Sequence, residues 1–157
     1  MNKVKIGVVD TTFSRVDMYS AVAEALNELP VELVRKTVPG MKDTPVACKI
    51  LLEKEGCNIA IALCHVGKEK IDEQCAHEAN IGIQFAQLLS NKHILGVFVH
   101  ETEALIEGKL NENEFKEIAL NRARKHALNA YWLIAEPNAL KAGSGKRQGK
   151  QDVGEIK

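Results

Sequence analysis

The most informative part of the sequence is Val38-Pro39-Gly40-Met41-Lys42-Asp43-Thr44-Pro45. Its two prolines and its glycine favour a rigid turn between an apolar, strand-like run and an amphipathic helix. In an open α/β sheet, ligands bind beyond the carboxyl ends of the strands, where such a turn lies. One unit earlier in the chain, Val9-Asp10-Thr11-Thr12-Phe13 occupies the corresponding place. The two stretches together predict the rim of a small-molecule site.

Strands and helices alternate along the chain. Residues 4–9 form the first predicted strand. Ser14 is expected to cap the first helix, with Asp17 in a capping-box position, and Pro30 is expected to end that helix. Three further strands are predicted, over 31–38, 58–64 and 94–99. Four further helices are predicted: one from Thr44 to Gly56, one that follows a loop over 65–68 and ends at Ser90, and two over 101–107 and 112–135. This order predicts a parallel sheet with helices on both faces, a three-layer α/β/α architecture.

The helices also have predicted inward faces. For the long helix these are Ile71, Cys75, Glu78 or Ala79, Gly82, Phe85, Ala86 and Leu89. For the last helix they are Phe115, Ile118, Ala119, Ala123, Ala127 and Tyr131. Both sets follow helical spacing.

Length and composition bound the class of protein. The 157 residues suit one domain with a full core, predicted over 1–141. From 142 to 157 the chain is polar, rich in glycine and basic residues, and we expect it to be mobile in isolation. Twenty-one basic residues balance twenty-one acidic ones, which argues against a nucleic-acid or anionic-membrane partner. With neither a signal-peptide pattern nor a membrane-length apolar run, the expected location is cytoplasmic.

The four cysteines, Cys48, Cys57, Cys64 and Cys75, form no C-x-x-C pair. A zinc ribbon or a thioredoxin-type site is therefore not expected, and a disulfide framework does not suit a cytosolic chain of this length. Most are expected to be small buried hydrophobes, although Cys64 could line a cleft. The sequence predicts no structural metal and requires no cofactor.

The predicted rim combines four loops that follow the four strands. It offers an aromatic ring at Phe13, hydroxyls, lysines, carboxylates and backbone amides next to Gly40 and Gly67. Such a set suits a flat heterocycle with a hydroxylated chain. The sequence contains neither a Walker A motif nor G-x-G-x-x-G, so a polyphosphate is not expected. The candidate substrate-binding residues are Asp10, Thr11, Thr12, Phe13, Pro39, Gly40, Met41, Lys42, Asp43, Val66, Gly67, Lys68, Val99 and His100.

Histidines are the natural candidates for proton transfer. His77 lies inside the long predicted helix, next to Glu78, and could act as a base or contact substrate across a subunit boundary; a surface or interface histidine is the alternative. His65 has no evident orienting partner in the sequence. His93 and His126 are expected at the surface, the latter with Arg122, Arg124 and Lys125 on a solvated helix face; an anion site on that face is the alternative.

Several of these segments resemble the archaeal-type riboflavin synthases. They are Val9 to Asp17, Arg35 to Ala47, Cys75-Ala76-His77-Glu78-Ala79, Asn91-Lys92-His93-Ile94, Val97-Phe98-Val99-His100-Glu101 and Lys146-Arg147-Gln148-Gly149. The resemblance covers roughly residues 3 to 150. Several matched segments in the right order are more specific than one short motif.

The resemblance implies a lumazine synthase-like fold, with a flavodoxin-like four-stranded sheet of order 2-1-3-4. It also implies a homopentamer with active sites between subunits, and a reaction in which two molecules of 6,7-dimethyl-8-ribityllumazine yield riboflavin and 5-amino-6-(D-ribitylamino)uracil. His77, with Glu78, is the candidate for proton movement. Mg²⁺ is compatible with the resemblance, but no cluster of residues specifies it.

Two other readings remain open. Lumazine synthases are similar at the Val-Pro-Gly turn, but their third loop usually reads Gly-Ala-Thr, one further residue and His, and binds a phosphate. Here the loop reads Gly67-Lys68-Glu69-Lys70-Ile71, in which Glu69 would repel phosphate. The sequence therefore favours riboflavin synthase over lumazine synthase, while a flavin- or lumazine-binding protein without turnover would use the same pocket.

Overall fold

The computed structural model describes residues 3–149, 154, 156 and 157. The strands of the main sheet are β1 (Val4–Thr11), β2 (Val31–Val38), β3 (Ile59–Val66) and β4 (Ile94–His100). The helices are α1 (Met18–Leu26), α2 (Thr44–Glu53), α3 (Lys70–Ser90) and α4 (Glu112–Ala135). A small hairpin of β5 (Leu105–Ile106) and β6 (Lys109–Leu110) precedes α4, and short 3₁₀ turns cover Met41–Asp43, Glu101–Ala104 and Pro137–Ala139.

The four main strands are parallel, in the order β2-β1-β3-β4, as predicted. Every residue of β3 is buried, because this strand is central and is covered on both faces. In register, Val8 of β1 lies beside Ile61 of β3, and Ala62 lies beside Gly96 of β4. The carboxyl ends of the strands therefore meet at one edge of the sheet.

Alternating side chains divide the core into two layers. Ile6, Ile61 and Val97 point to the face covered by α1 and α4. On the other face, Val9 and Ala62 pack against α2 and α3. The period of two along each strand thus produces the predicted α/β/α sandwich.

The buried face of α3 agrees with the predicted side at Ala79 and Ala86 and differs from it elsewhere. Ala76, Ala79, Ile83 and Ala86 face the sheet, whereas Phe85 and Leu89 are 62% and 69% exposed. Small side chains allow close helix packing: a methyl group added at Gly82 would lie 2.9 Å from Pro45 Cγ. The larger apolar side chains, including Ile71, are left on the outer surface of α3.

Two local predictions were wrong. Asp17, not Ser14, caps α1, because its Oδ1 accepts the Ser20 backbone N–H at 3.1 Å, while the Ser14 hydroxyl donates to the Val16 carbonyl. The predicted helix over 101–107 is a 3₁₀ turn followed by the hairpin, whose turn contains Gly108 at φ +76°.

The last helix and the tail are in contact. The boundaries of α4 match the prediction, and Phe115, Ala123 and Tyr131 are among its buried residues. Two of the described tail residues contact α4: Gln148 forms hydrogen bonds with Asn129, and the Lys146 ammonium lies over the Trp132 ring. Part of the tail lies outside the described residues, so its expected mobility stays a prediction. In the described part of the chain, no helix is long and apolar enough to cross a membrane.

Candidate active site

A pocket of about 290 Å³ opens at the carboxyl ends of β1, β2 and β3. Its lining residues are Phe13, Pro39, Gly40, Met41, Lys42, Asp43, His65, Asp72 and Cys75. The first six belong to the two stretches from which the sequence predicts a rim. The topology of the sheet brings these stretches together, because β1 and β2 are neighbours.

The Pro39–Asp43 turn is held in one shape by its own hydrogen bonds. The Gly40 N–H donates to Asp43 Oδ2 at 3.0 Å, and the Asp43 N–H donates to the Gly40 carbonyl at 3.0 Å. The Thr12 hydroxyl donates to the Pro39 carbonyl at 3.1 Å and so ties the two rim stretches together. Thr12 and one oxygen of Asp43 therefore shape the turn.

Phe13 forms an aromatic wall of the pocket. Its ring is 52% exposed, which is unusual for a phenylalanine and leaves a surface on which a flat ring can stack. The Phe13 ring packs edge-to-face against the ring of His65; the two ring centroids are 5.3 Å apart and the interplanar angle is 69°.

His65 is the main residue that sequence reasoning missed. It lies in β3 rather than in a loop and is 2% exposed. Its Nδ1 accepts the Arg15 backbone N–H at 3.2 Å, so Nε2 carries the proton and donates to Glu101 Oε1 at 2.8 Å. The ring also packs against Phe115, with centroids 4.5 Å apart. With both nitrogens bonded, this histidine positions the wall of the pocket.

Sequence offers one signal for His65. In β3, residues 61, 63 and 65 alternate onto the same face, so His65 follows Ile61 and Leu63 toward α4. Its partners are far away in the sequence, however, and an assignment of the strand to 58–64 hides this alternation.

Four other candidate residues support the rim without lining the pocket. Asp10 accepts hydrogen bonds at 2.6 Å from both Arg35 Nη2 and the Thr37 hydroxyl, which joins the ends of β1 and β2. The hydrogen bond to Asp10 raises the pKa of Arg35. Buried side chains complete this group: Thr11, Val66 and Val99.

The third loop has a tight internal structure. Gly67 is buried, and a methyl group there would overlap the carboxylate of Asp72. Asp72 Oδ2 accepts the Glu69 backbone N–H at 3.0 Å at the start of α3. Lys68 lies outside the pocket lining, with its Nζ 3.4 Å from the Gly108 carbonyl oxygen.

The candidate acid–base residues lie at the edge of the site or outside it. His77 is exposed on α3 and does not line the pocket of its own chain. Glu78 forms an ion pair with Lys42, and this hydrogen bond lowers the pKa of Glu78 and raises that of Lys42. His100 Nδ1 lies 2.7 Å from Glu73 Oε2 on α3. Sequence predicted these residues but not their ion pairs.

The cysteines divide into two kinds. Cys48, Cys57 and Cys64 are buried, and burial raises the pKa of the Cys64 thiol to about 12. Cys75 is partly exposed and lines the pocket, one helical turn after Asp72.

Among the described residues, no group of three or more His, Cys, Asp or Glu side chains could hold a metal ion.

Two further corrections concern α4. His126 is half-buried, and burial, followed by the charges of Arg147 and Arg122, lowers its pKa. Arg122 is not part of a solvated face, since its guanidinium binds Glu103 through both terminal nitrogens at 2.5 and 2.8 Å. These residues lie outside the rim pocket.

Comparison with known proteins agrees with this geometry. Residues 3–137 match the family model described as 6,7-dimethyl-8-ribityllumazine synthase. A protein of Methanothermobacter thermautotrophicus named riboflavin synthase is 46% identical over 157 residues, covering 98% of this chain and 99% of its own. Proteins of the same name from Archaeoglobus fulgidus and Aeropyrum pernix are 41% and 45% identical, and each alignment covers at least 97% of both chains. The resemblance found in the sequence is confirmed, and the chain belongs to the 6,7-dimethyl-8-ribityllumazine synthase family.

Proposed function

We propose that this chain is a riboflavin synthase. In the proposed reaction, one 6,7-dimethyl-8-ribityllumazine transfers a four-carbon unit, its carbons 6 and 7 with their methyl groups, to a second molecule. The acceptor becomes riboflavin and the donor becomes 5-amino-6-(D-ribitylamino)uracil. The observation that carries the proposal is a rim pocket with an aromatic wall at Phe13, next to a start of α3 whose carboxylates disfavour a phosphate.

The start of α3 separates riboflavin synthase from lumazine synthase. A helix N-terminus binds phosphate through unpaired backbone N–H groups. Here the Asp72 carboxylate accepts a hydrogen bond from the Glu69 backbone N–H, so this N–H is not available to a phosphate. Asp72 and Glu73 also add negative charge to the first turn of α3. A phosphorylated substrate would be repelled there, whereas two neutral lumazine rings would not. The names of the archaeal relatives support the same choice.

Pocket size supports an assembly of several chains. A volume of about 290 Å³ lies just below the range of roughly 300–1,000 Å³ typical of sites for one drug-sized ligand. Two lumazines need more space and a second wall. A neighbouring subunit would supply both, and we propose a homopentamer with its sites between subunits.

The outer face of α3 supports such an assembly. It exposes a group of large apolar side chains: Ile71, Ile81, Phe85, Leu88 and Leu89. Exposed large apolar side chains grouped on one helix are typical of a protein–protein interface. Phe85 and Leu89 are four residues apart and thus adjacent on the helix surface.

Within the site, we assign the roles by position. Phe13 stacks on one lumazine ring, and backbone groups of the Pro39–Asp43 turn contact the pyrimidine edge. Lys42, Asp43 and Lys68 are our candidates for binding the ribityl hydroxyls. Lys42 would have to exchange its ion pair with Glu78, and Lys68 would have to turn toward the pocket. Bringing two rings together with their reacting carbons aligned can contribute on the order of 7–11 kcal/mol.

Proton transfer places a modest demand on the protein. The methyl group on carbon 7 of the lumazine is acidic because its carbanion is delocalised into the ring. His77 and Glu78 stay our candidates for moving this proton, and since His77 is exposed outside its own pocket, it would act at the site of a neighbouring subunit.

One assay separates the possible functions. The purified chain is incubated with 6,7-dimethyl-8-ribityllumazine alone, and riboflavin is followed by its green-yellow fluorescence. Growth of fluorescence supports riboflavin synthase. A lumazine synthase would instead form the lumazine from 5-amino-6-ribitylaminouracil and dihydroxybutanone phosphate, and a binding protein would bind lumazine without product. Either of those outcomes would overturn the proposal.

A further inference from the structure

Glu101 is the first residue of the 3₁₀ turn that follows β4, and it does not line the rim pocket. Its side chain is only 14% exposed, and its Oε1 accepts the Nε2–H of His65 at 2.8 Å. His65 itself lines the pocket and packs against the aromatic wall at Phe13. A partly buried carboxylate thus contacts the pocket from behind, through one histidine.

The carboxylate determines which nitrogen of His65 carries the proton. An ionised carboxylate accepts hydrogen bonds but cannot donate one. The bond to Glu101 therefore requires the proton of the neutral imidazole on Nε2, which leaves Nδ1 as an acceptor. Nδ1 accepts the backbone N–H of Arg15 at 3.2 Å. The tautomer selected by Glu101 is the one that can hold Arg15.

The segment that carries the aromatic wall is attached to the sheet on both sides of Phe13. Before Phe13, the Thr12 backbone N–H donates to the Val38 carbonyl of β2 at 2.9 Å. After Phe13, the hydrogen bond from Arg15 to His65 attaches the segment to β3. The orientation of the Phe13 ring therefore depends on His65 as well as on the turn after β2.

The His65 ring is a partition between two cavities. A small cavity of about 150 Å³ lies next to the start of α4, and of the described residues His65 is the one that lines both this cavity and the rim pocket. The ring is held between them by its two hydrogen bonds and by packing against Phe115. Loss of the bond to Glu101 would leave the ring space to move away from Phe13.

We propose that Glu101 is a positioning residue of the rim pocket. By keeping the His65 proton on Nε2, it preserves the acceptor for the Arg15 N–H and so holds the Phe13 ring where a flat substrate ring stacks on it. This inference rests on the proposed function, which places the substrate ring on Phe13. Glu101 acts on the binding of that ring and not on proton transfer.

The test is Glu101→Gln in the full-length chain, which keeps the shape of the side chain but adds an NH₂ donor. The amide can donate to Nε2, so it also permits the tautomer with the proton on Nδ1, which cannot accept the Arg15 N–H. ¹⁵N NMR of the His65 imidazole should show Nε2–H in the unmodified chain and a mixture of both tautomers in the variant. The dissociation constant of riboflavin, measured by quenching of its fluorescence, should rise about three- to tenfold, as expected for loss of one hydrogen bond.

Two controls separate positioning from a general loss of structure. Glu112→Gln removes the ion pair of the Arg15 guanidinium, whose Nη2 lies 2.8 Å from Glu112 Oε1, but leaves the Arg15 backbone N–H in place. This variant should bind riboflavin as the unmodified chain does. In a Phe13→Ala background, Glu101→Gln should leave the riboflavin affinity unchanged, because the ring that it positions is no longer there.

The proposal is overturned if Glu101→Gln leaves His65 as the Nε2–H tautomer or leaves the riboflavin affinity unchanged. It is also overturned if the variant weakens riboflavin binding equally in the Phe13→Ala background. A chain that forms no riboflavin from the lumazine would overturn the proposed function and, with it, the role of Glu101 in that function. The imidazole spectrum would still show in that case whether Glu101 sets the tautomer, so the two failures are distinguishable.

Discussion

Single side chains at the rim either face the pocket or hold it together. Phe13 and Cys75 face it and are partly exposed. Asp10 and His65 are bonded to protein groups on more than one side and support the surface that the other residues form. Substitution should therefore affect the two kinds differently: pocket-facing residues should alter affinity and turnover, and supporting residues should alter stability.

Phe13→Ala tests the aromatic wall. Stacking of a heterocyclic ring on an aromatic side chain contributes about 1–3 kcal/mol. We expect kcat/KM for riboflavin formation to fall by roughly 5- to 150-fold while the melting temperature changes little, since this ring is half exposed. Phe13→Tyr keeps the ring and should retain most activity. An unchanged kcat/KM in Phe13→Ala would contradict the assignment of Phe13.

Cys75 allows the pocket to be probed without turnover. The other cysteines are buried, so we expect a thiol reagent at neutral pH to label Cys75 much faster than Cys48, Cys57 or Cys64 in the folded protein. Riboflavin should slow this labelling because Cys75 lines the pocket. Mass spectrometry of labelled peptides measures both effects, with Cys75→Ser as the control. Equal labelling with and without riboflavin would contradict the location of the site.

His65→Ala tests a supporting residue. It removes a buried ring and leaves the Glu101 carboxylate and the Arg15 N–H without their partner. We expect a loss of about 2–4 kcal/mol in the free energy of unfolding, measured by denaturant titration. His93→Ala, at an exposed position, is the control and should change stability by less than about 0.5 kcal/mol. A similar small loss in His65→Ala would show that the ring is not structural.

At the level of secondary-structure elements, the loops after β2, β3 and β4 are closed in the same way. In each, a carboxylate accepts the backbone N–H of the residue three positions earlier, at 3.0 Å: Asp43 from Gly40, Asp72 from Glu69 and Glu103 from His100. These caps fix the loops and use N–H groups that an anionic ligand would otherwise need. The rim is thereby suited to uncharged rings.

Gly67→Ala tests the third loop. The new methyl group would overlap the Asp72 carboxylate, and overpacking of this kind costs about 1–3 kcal/mol. Asp72→Ala alone should cost about 1 kcal/mol through loss of the cap. The double variant should be more stable than the sum of the two single losses predicts, because the overlap is removed. Additive losses in a denaturant double-mutant cycle would contradict this packing.

The elements also show how far sequence reasoning reaches. The parallel sheet and the Pro39–Asp43 rim were predictable, because central parallel strands are continuous apolar runs and prolines and glycines mark the turns. The strand order followed from the resemblance to riboflavin synthases. The inner face of α3 was predictable only in part: Ala79 and Ala86 were assigned to the correct side, but helical periodicity also placed large apolar residues such as Phe85 there. The sheet instead requires small residues such as Ala76 at those positions. His65 was missed since both its hydrogen-bond partners are distant in sequence.

For the whole molecule, the exposed face of α3 is the strongest sign of assembly. Leu89→Glu would place a charge in the proposed interface, so we expect the oligomer to dissociate. Because the proposed site is shared between subunits, riboflavin formation should then fall at least tenfold. Ile106→Glu is the matched control, since Ile106 is similarly exposed on the β5–β6 hairpin. Light scattering after size-exclusion chromatography measures the mass; a Leu89→Glu protein that stays pentameric and active would contradict this interface.

The proposal as a whole requires two lumazines to meet in one site and exchange carbon atoms. The most direct test mixes equal amounts of unlabelled lumazine and lumazine labelled with ¹³C at carbons 6 and 7 and both methyl groups. We expect unlabelled, half-labelled and fully labelled riboflavin by mass spectrometry, with the half-labelled form the most abundant, and only unlabelled 5-amino-6-(D-ribitylamino)uracil. Absence of half-labelled riboflavin, or recovery of both lumazines unchanged, would contradict the proposed function.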